Sequence, residues 1–293
     1  MKDLHYLRPT STPEVINYLQ KYREKAKIIA GGQSLMILLR QKLLSPNFLI
    51  DISQIGNLKF IKKTAKFAKI GALTTHRTLE NSPIIKADLP ILANMEKQLA
   101  SVHIRNLGTL GGNLCHADPS SDLAPPLIVL GAKLKLERWQ GERTVLVENF
   151  FRGFLETVIQ PDEILTEIQI PLLSASGNAV YIKHSARTVD TTIVGVAAFV
   201  SKAEDGDICQ DIRLALGGVS SVPIRAKKAE AEMRGKPISR KTIAAAGEKA
   251  KEEASPVSDL QGSAEYKKGL IEVFVQKTIE SAWEGLDKRR KEG

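Results

Sequence analysis

The chain has 293 residues, 43% of them hydrophobic and 26% charged, and a formal net charge of +9. That length suits two domains rather than one minimal fold, with apolar content ample for a core. No apolar run approaches membrane-spanning length and the opening residues lack a secretory apolar stretch, so a soluble, cytoplasmic protein is expected. Aromatics make up only 5%, and the basic residues are scattered apart from Lys288-Arg289-Arg290-Lys291. Both facts argue against a nucleic-acid platform. Cys115 and Cys209 stand far apart and outside any Cys-x-x-Cys pair, which excludes an iron–sulfur or zinc signature and a disulfide framework on this chain.

Thr12 reads as a helix cap and Pro13 as the first helical position, followed by Val15, Ile16, Leu19 and Tyr22 at helical spacing. A short strand is predicted at 27–30, running into Gly31-Gly32-Gln33-Ser34 and an apolar helix through Leu35, Leu38 and Leu39 that Pro46 stops. Another strand covers 48–52. Two β-like runs between 58 and 73 predict a hairpin around 62–66. Helical stretches follow at 75–80 and 90–100, then a glycine-rich turn region over 105–113. A second hairpin is expected at 133–136 and 144–147, and a strand over 163–170.

Residues 172–178 have the small, polar texture of a linker, and the domain boundary is drawn near residue 175. Beyond it, strands at 179–184, 193–201 and 208–216 precede helices at 226–234, 240–253 and 264–286. Strands first and helices afterwards predict an α+β domain whose antiparallel sheet is covered on one side. The expected division is 1–175, itself in lobes of about 1–55 and 56–175, followed by 176–293.

The sharpest features are Ala30-Gly31-Gly32-Gln33-Ser34 and Thr109-Leu110-Gly111-Gly112-Asn113. Glycine accepts backbone angles that other residues avoid and lets an anion approach the chain. Amides at a following helix start point outward and need an acceptor. Taken alone, each pair reads first as a tight turn; two of them, both flanked by hydroxyl and amide residues, make a phosphate site an equal reading. Two converging nests would suit a diphosphate, and hence a dinucleotide. Neither segment has the Rossmann or P-loop spacing. A helix-end charge interaction is worth about 0.3–2 kcal/mol, whereas nanomolar retention needs about 12 kcal/mol. Most of the affinity must come from burying rings elsewhere.

Together these two segments resemble the paired FAD signatures of molybdenum-hydroxylase flavoprotein subunits, the medium subunits of carbon monoxide dehydrogenase, xanthine dehydrogenase and their relatives. The resemblance takes in His5-Tyr6-Leu7-Arg8-Pro9, Asp162-Glu163-Ile164-Leu165 and Ser255-Pro256-Val257-Ser258-Asp259, and so spans nearly the whole chain. It implies a p-cresol-methylhydroxylase-type FAD-binding domain of two α/β lobes plus a C-terminal α+β domain.

For the site, the resemblance implies that Ile29, Ala30, Gly31, Gly32, Gln33, Ser34 and Leu35 wrap the diphosphate and ribityl chain, with Thr109, Gly111, Gly112 and Asn113 closing the other side. Asp122 would lie near the adenosine end, or else cap a helix before Leu123. Leu165 and Lys183 would line the flavin, with Leu99 as a further contact; Lys183 is alternatively a solvated strand lysine. Arg187 and Asp190 match an Arg and an acid beside the isoalloxazine, but Thr191 and Thr192 follow where some relatives carry a shielding aromatic. No inserted cysteine-bearing loop is visible, which sets aside the relatives that reduce aromatic thioesters. Cys115, His116 and Asp118 are too poorly spaced for a compact metal site, and Cys115 is expected to be buried behind the flavin turn.

The function implied is electron transfer between a [2Fe–2S] partner and an external acceptor such as NAD, with hydroxylation on a separate molybdopterin subunit of a heterotrimeric unit. FAD exchanges single electrons for hydride. No catalytic acid–base dyad is needed on this chain. The alternative is a stand-alone FAD-dependent reductase or oxidase of the same wider fold, which turnover by the purified chain alone would favour. A nucleic-acid-binding scaffold is the third reading, marked by steeply salt-dependent DNA binding.

Overall fold

The computed structural model describes residues 4–173, 176–203 and 207–292, with side chains described to residue 286. The first lobe is a parallel βαβαβ unit. Strand β1 (His5–Leu7) leads to helix α1 (Thr12–Tyr22), β2 (Ala26–Ile29), α2 (Leu35–Arg40) and β3 (Phe48–Asp51). β3 lies between β1 and β2 and pairs parallel with both. Parallel pairing requires crossovers, and the two helices supply them. The N-cap position of α1 is Ser11, not Thr12, and its side chain makes no capping hydrogen bond; Thr12 and Pro13 occupy the first turn. Val15, Ile16 and Leu19 share a core with Ile50 and Ile52, which Leu58, Leu73 and Ile164 of the second lobe complete.

The second lobe opens with the expected hairpin, β4 (Ile61–Lys63) and β5 (Phe67–Gly71). Short helices follow: α3 (His76–Asn81), α4 (Pro83–Asp88), α5 (Pro90–Glu96), α6 (Val102–Leu107), α7 (Leu110–His116) and α8 (Ala124–Val129). Strands β6 (Lys133–Arg138) and β7 (Gly141–Leu146), the small pair β8 (Phe151–Gly153) and β9 (Glu156–Thr157), and the long β10 (Ile164–Pro171) complete it. The main sheet runs β4-β5-β10-β6-β7 with antiparallel pairing throughout. The glycine-rich stretch 105–113 is therefore mostly helix rather than turn. An interior glycine costs only about 1 kcal/mol relative to alanine, an amount that close packing offsets.

Glu163, just ahead of β10, is 3% exposed and receives Arg143 Nε and Nη2 at 2.7 and 2.8 Å, and the Gln160 N–H at 2.9 Å. Burial alone would raise its pKa, but the hydrogen bonds and the Arg143 charge outweigh that and hold it below the usual glutamate range. A depressed folded-state pKa stabilises above the unfolded value of about 4.3 and ceases to do so as pH falls through the folded value. Glu163→Gln is expected to cost about 1–3 kcal/mol near neutral pH, with allowance for Arg143's partial exposure. Thermal melts of variant and parent should converge as pH drops below about 4.

The third sheet is antiparallel: β11 (Gly177–His184), β12 (Val194–Lys202), β13 (Cys209–Gly217) and β14 (Ile224–Arg225). Helices α9 (Lys227–Met233), α10 (Arg240–Glu253) and α11 (Ala264–Glu292) cover one face. The expectation of a sheet covered on one side needs correction. Every residue of β12 is buried, because the opposite face carries Ala179, Tyr181, Ala197, Phe199 and Ala215 into the second lobe's core. Alternating side chains thus serve two cores. The linker residues 174 and 175, and with them the boundary drawn near 175, lie outside the described residues. The basic run 288–291 belongs to α11, its side chains likewise outside those described.

Candidate functional site: a cofactor cradle between two lobes

β2 ends at Ile29, and Ala30 to Ser34 carry the chain into α2. Gly32 has φ +71°, a left-handed angle that glycine adopts without penalty. A Cβ on Gly31 would stand 1.9 Å from the Leu107 carbonyl oxygen, so only glycine fits there. Gln33 Nε2 donates to the Gly31 carbonyl at 2.9 Å and braces the loop from within. Among the described residues, the N–H groups of Gly31, Gly32, Gln33 and Ser34 donate to no protein acceptor. Four successive undonated amides at a helix start form an anion cradle.

The second segment works differently from the sequence expectation of a matching amide nest. Gly111 and Gly112 lie inside the first turn of α7, and their amides are engaged. Gly111 N donates to Ala72 O at 2.9 Å, Gly112 N to Thr109 Oγ1 at 3.1 Å and Asn113 N to Thr109 O at 2.9 Å. Thr109 is thus the buried N-cap of α7. Gly111 permits contact with Ala72, since a Cβ would come within 2.7 Å of Ala72 Cβ. This segment supplies closeness and side chains rather than free amides. Asn113 Oδ1 accepts from Ser121 Oγ at 2.6 Å.

The two segments meet. Leu107 and Gly108 lie against Gly31, Gly108 approaches Gln33, and a Cβ on Gly112 would sit 3.9 Å from Ala30 Cβ. Cys115, one helical turn beyond, is exposed rather than buried behind the turn. Burial by surrounding protein still pushes its thiol up to about 12. Among the described residues, no group of three or more His, Cys, Asp or Glu could hold a metal ion.

Asp122 is neither a helix cap nor a lone acid. It is 6% exposed and accepts hydrogen bonds from Tyr181 Oη at 2.6 Å, from the Thr192 hydroxyl, and from Lys183 Nζ at 3.0 Å. The Lys183 side chain is 2% exposed, which removes the solvated-lysine reading. Its ammonium also donates to Gln98 O at 2.8 Å and Asp190 O at 3.2 Å, so all three hydrogens are engaged. Gly195, paired with Lys183 across β11 and β12, leaves room for the Tyr181 hydroxyl; a Cβ there would lie 2.5 Å from it.

Leu99 and Leu165 are buried in the shared core, Leu165 beside a β-bulge where β10 passes β6. Asp190 is half-buried and Arg187 exposed. Sequence reasoning missed Tyr181, Thr192 and Gln98. Tyr181 lies two residues from Lys183 on one strand, so alternation could have found it. Nothing local marks the other two.

The residues fit a pyrophosphate-bearing cofactor, on the strength of the undonated amides and the glycine that admits no Cβ. Comparisons with known proteins agree. Residues 2–173 match the family model for the FAD binding domain in molybdopterin dehydrogenase, and residues 179–282 that for the CO dehydrogenase flavoprotein C-terminal domain. The carbon monoxide dehydrogenase medium chain of Hydrogenophaga pseudoflava is 32% identical over 278 residues, covering 95% of this chain and 96% of that one. The glyceraldehyde dehydrogenase medium chain of Sulfolobus acidocaldarius is 30% identical, covering 94% and 97%. A solved structure of the H. pseudoflava carbon monoxide dehydrogenase, in a form lacking the Mo-pyranopterin moiety of its cofactor, superposes with a TM-score of 0.93 at 34% identity, over 96% of this chain and 97% of its counterpart. The chain belongs to the FAD-binding medium subunits of the molybdenum hydroxylase family and is an oxidoreductase subunit of α+β fold.

Proposed function

We propose that this chain is the flavin relay of a three-subunit hydroxylase, taking electrons from a [2Fe–2S] small subunit and passing them to an external acceptor, with NAD the leading candidate. The observation that carries the reading is the row of undonated amides from Gly31 to Ser34, closed over by Leu107, Gly108 and α7. Substrate hydroxylation belongs to a molybdopterin large subunit, and the assembly is proposed to work in the cytoplasm. Two relatives named for carbon monoxide and glyceraldehyde match this chain over nearly its whole length. That supports a substrate-independent task here, with specificity lodged on another chain.

When bound, FAD supplies the exchange between one-electron and hydride chemistry. The protein's own work is holding and insulating. Ile29, Ala30, Gly31, Gly32, Gln33, Ser34 and Leu35 would wrap the diphosphate and ribityl chain, Gly31 to Ser34 through their backbone amides, with Thr109, Gly111, Gly112 and Asn113 opposite. Leu99 and Leu165 would offer apolar surface. Asp122 and Lys183 would act as a preorganised dipolar wall, since their charges are already paired, with Asp190 joined to it through its main-chain carbonyl. The division into 1–175 and 176–293 is proposed to place the diphosphate cradle in the first domain, with Lys183 and Asp190 brought to Asp122 from the second.

Purified with its native partners, the protein is expected to be yellow, to contain iron and molybdenum, and to show flavin absorbance that bleaches on substrate addition. The chain by itself should bind FAD and be reducible, yet fail to oxidise the complex's substrate. Substrate turnover by the isolated chain would instead establish a stand-alone flavoenzyme.

A further inference from the structure

Beneath the second segment lies a buried charge cluster that no cofactor contact requires. His76, on α3, is 2% exposed, and Glu96, on α5, is fully buried. His76 Nδ1 lies 2.8 and 3.1 Å from the two Glu96 carboxylate oxygens. The same histidine braces the glycine segment twice. Its backbone N–H donates to Gly108 O at 3.0 Å, and its Cδ2 would stand 3.3 Å from a Cβ on Gly108. Thr75 and Thr109 bridge alongside.

Three other charged groups face the pair. Arg105, on α6, is buried and donates to Glu80 Oε2 at 3.1 Å and to the carbonyls of Leu99 and Ala100 at 2.7 Å each. Glu80 is also held by Arg77, leaving Glu96 with His76 as its direct partner. Asp122 adds a repulsive charge from the segment before α8. Helices α3, α5 and α6 are thereby cross-linked just below Leu107 and Gly108, the residues that abut Gly31.

We infer that the buried His76–Glu96 pair is a positioning element for the cofactor: it fixes Leu107 and Gly108 against Gly31 and so sets how firmly the chain retains FAD. The inference rests on the reading of residues 31–34 as the diphosphate cradle. Burying two ionisable groups is costly unless each satisfies the other, so a pair at this place holds one geometry and few alternatives. Leu107 packs directly on Gly31, the first of the four amides, so a shift of Leu107 is carried to the cradle. Neither His76 nor Glu96 needs to touch the ligand.

The test is titration of the full chain with FAD, followed by flavin fluorescence, alongside thermal melts without added cofactor. Glu96→Gln keeps a hydrogen-bonding partner for the imidazole and should hold the FAD Kd within about threefold of the parent. Glu96→Ala should raise it tenfold or more. Gly108→Ala leaves the pair intact but sets a Cβ 2.9 Å from Ile104 O and 3.3 Å from His76, and should raise the Kd by a similar factor. This second route serves if Glu96→Ala fails to fold. A folded Glu96→Ala chain with an unchanged Kd, or equal losses in the Gln and Ala variants, overturns the inference, as does an unchanged Kd in Gly108→Ala. A parent chain that binds no FAD at all instead removes the cradle reading beneath it.

Discussion

Gly31→Ala is expected to release FAD from a chain that still folds, with a loss of affinity of at least about 100-fold, or roughly 2.7 kcal/mol. The added methyl would lie 1.9 Å from Leu107 O, 2.6 Å from its carbonyl carbon and 3.0 Å from Gly108 Cα. All three are backbone atoms, so no rotamer change relieves the clash. The loop must withdraw from α6 by more than an ångström, carrying the four amides with it. Overpacking of this kind costs about 1–3 kcal/mol in stability, which a chain with three separate core clusters should survive.

Gly32→Ala makes the informative contrast. There the neighbours are the side chains of Ile29 and Met36 at 3.3 and 3.4 Å, which can yield. The penalty is chiefly the left-handed φ, about 1–2 kcal/mol. Flavin absorbance per chain after desalting should therefore fall most for Gly31→Ala, less for Gly32→Ala. Equal retention in Gly31→Ala and the parent would mean that the Leu107 contact is not part of the cofactor site.

Much of this architecture was legible because its signals are local. Gly31 and Gly32 close a β-branched strand and open an apolar helix, and that grammar survives without tertiary information. The helical pattern expected at residues 240–253 coincides with α10, where Ser239 caps the helix and buried residues recur along one face. What escaped notice depends on long-range packing. The glycines at 111 and 112 read as a turn because their low helix propensity dominates any local view. Their helical state is imposed by Ala72 and Thr74, which lie far away in sequence and accept the amides of Gly111 and Leu110. The second cover on the third sheet was equally hidden. A strand such as β12, buried at every position, shows no alternation, so its sequence cannot say how many partners it has. The buried quartet His76, Glu80, Glu96 and Arg105 carries no local signal, and only the fold brings them together.

Lys183→Met is expected to be the most destabilising single change at the site. The two side chains are 2% and 6% exposed, and the pair joins β11 to the segment before α8. Removing the ammonium leaves a buried carboxylate with two hydroxyl donors but no cation, a loss of about 3–5 kcal/mol. For a chain of this size that corresponds to a melting temperature lower by on the order of 10 °C. It also frees the carbonyls of Gln98 and Asp190, so the segment carrying Arg187 and Asp190 should loosen and proteolysis there should quicken. Salt should barely alter the effect, because a buried pair is poorly screened. Adding Asp122→Asn removes the orphaned charge while keeping an acceptor for Tyr181 and Thr192. The double variant should therefore be more stable than Lys183→Met alone, with a coupling of about 1–3 kcal/mol. The exposed Lys249–Glu252 pair provides the control, since its removal should pass almost unnoticed. If Lys183→Met melts within about 1 kcal/mol of the parent, the Asp122 charge is compensated by something other than Lys183, and the dipolar wall proposed for the flavin loses its main support.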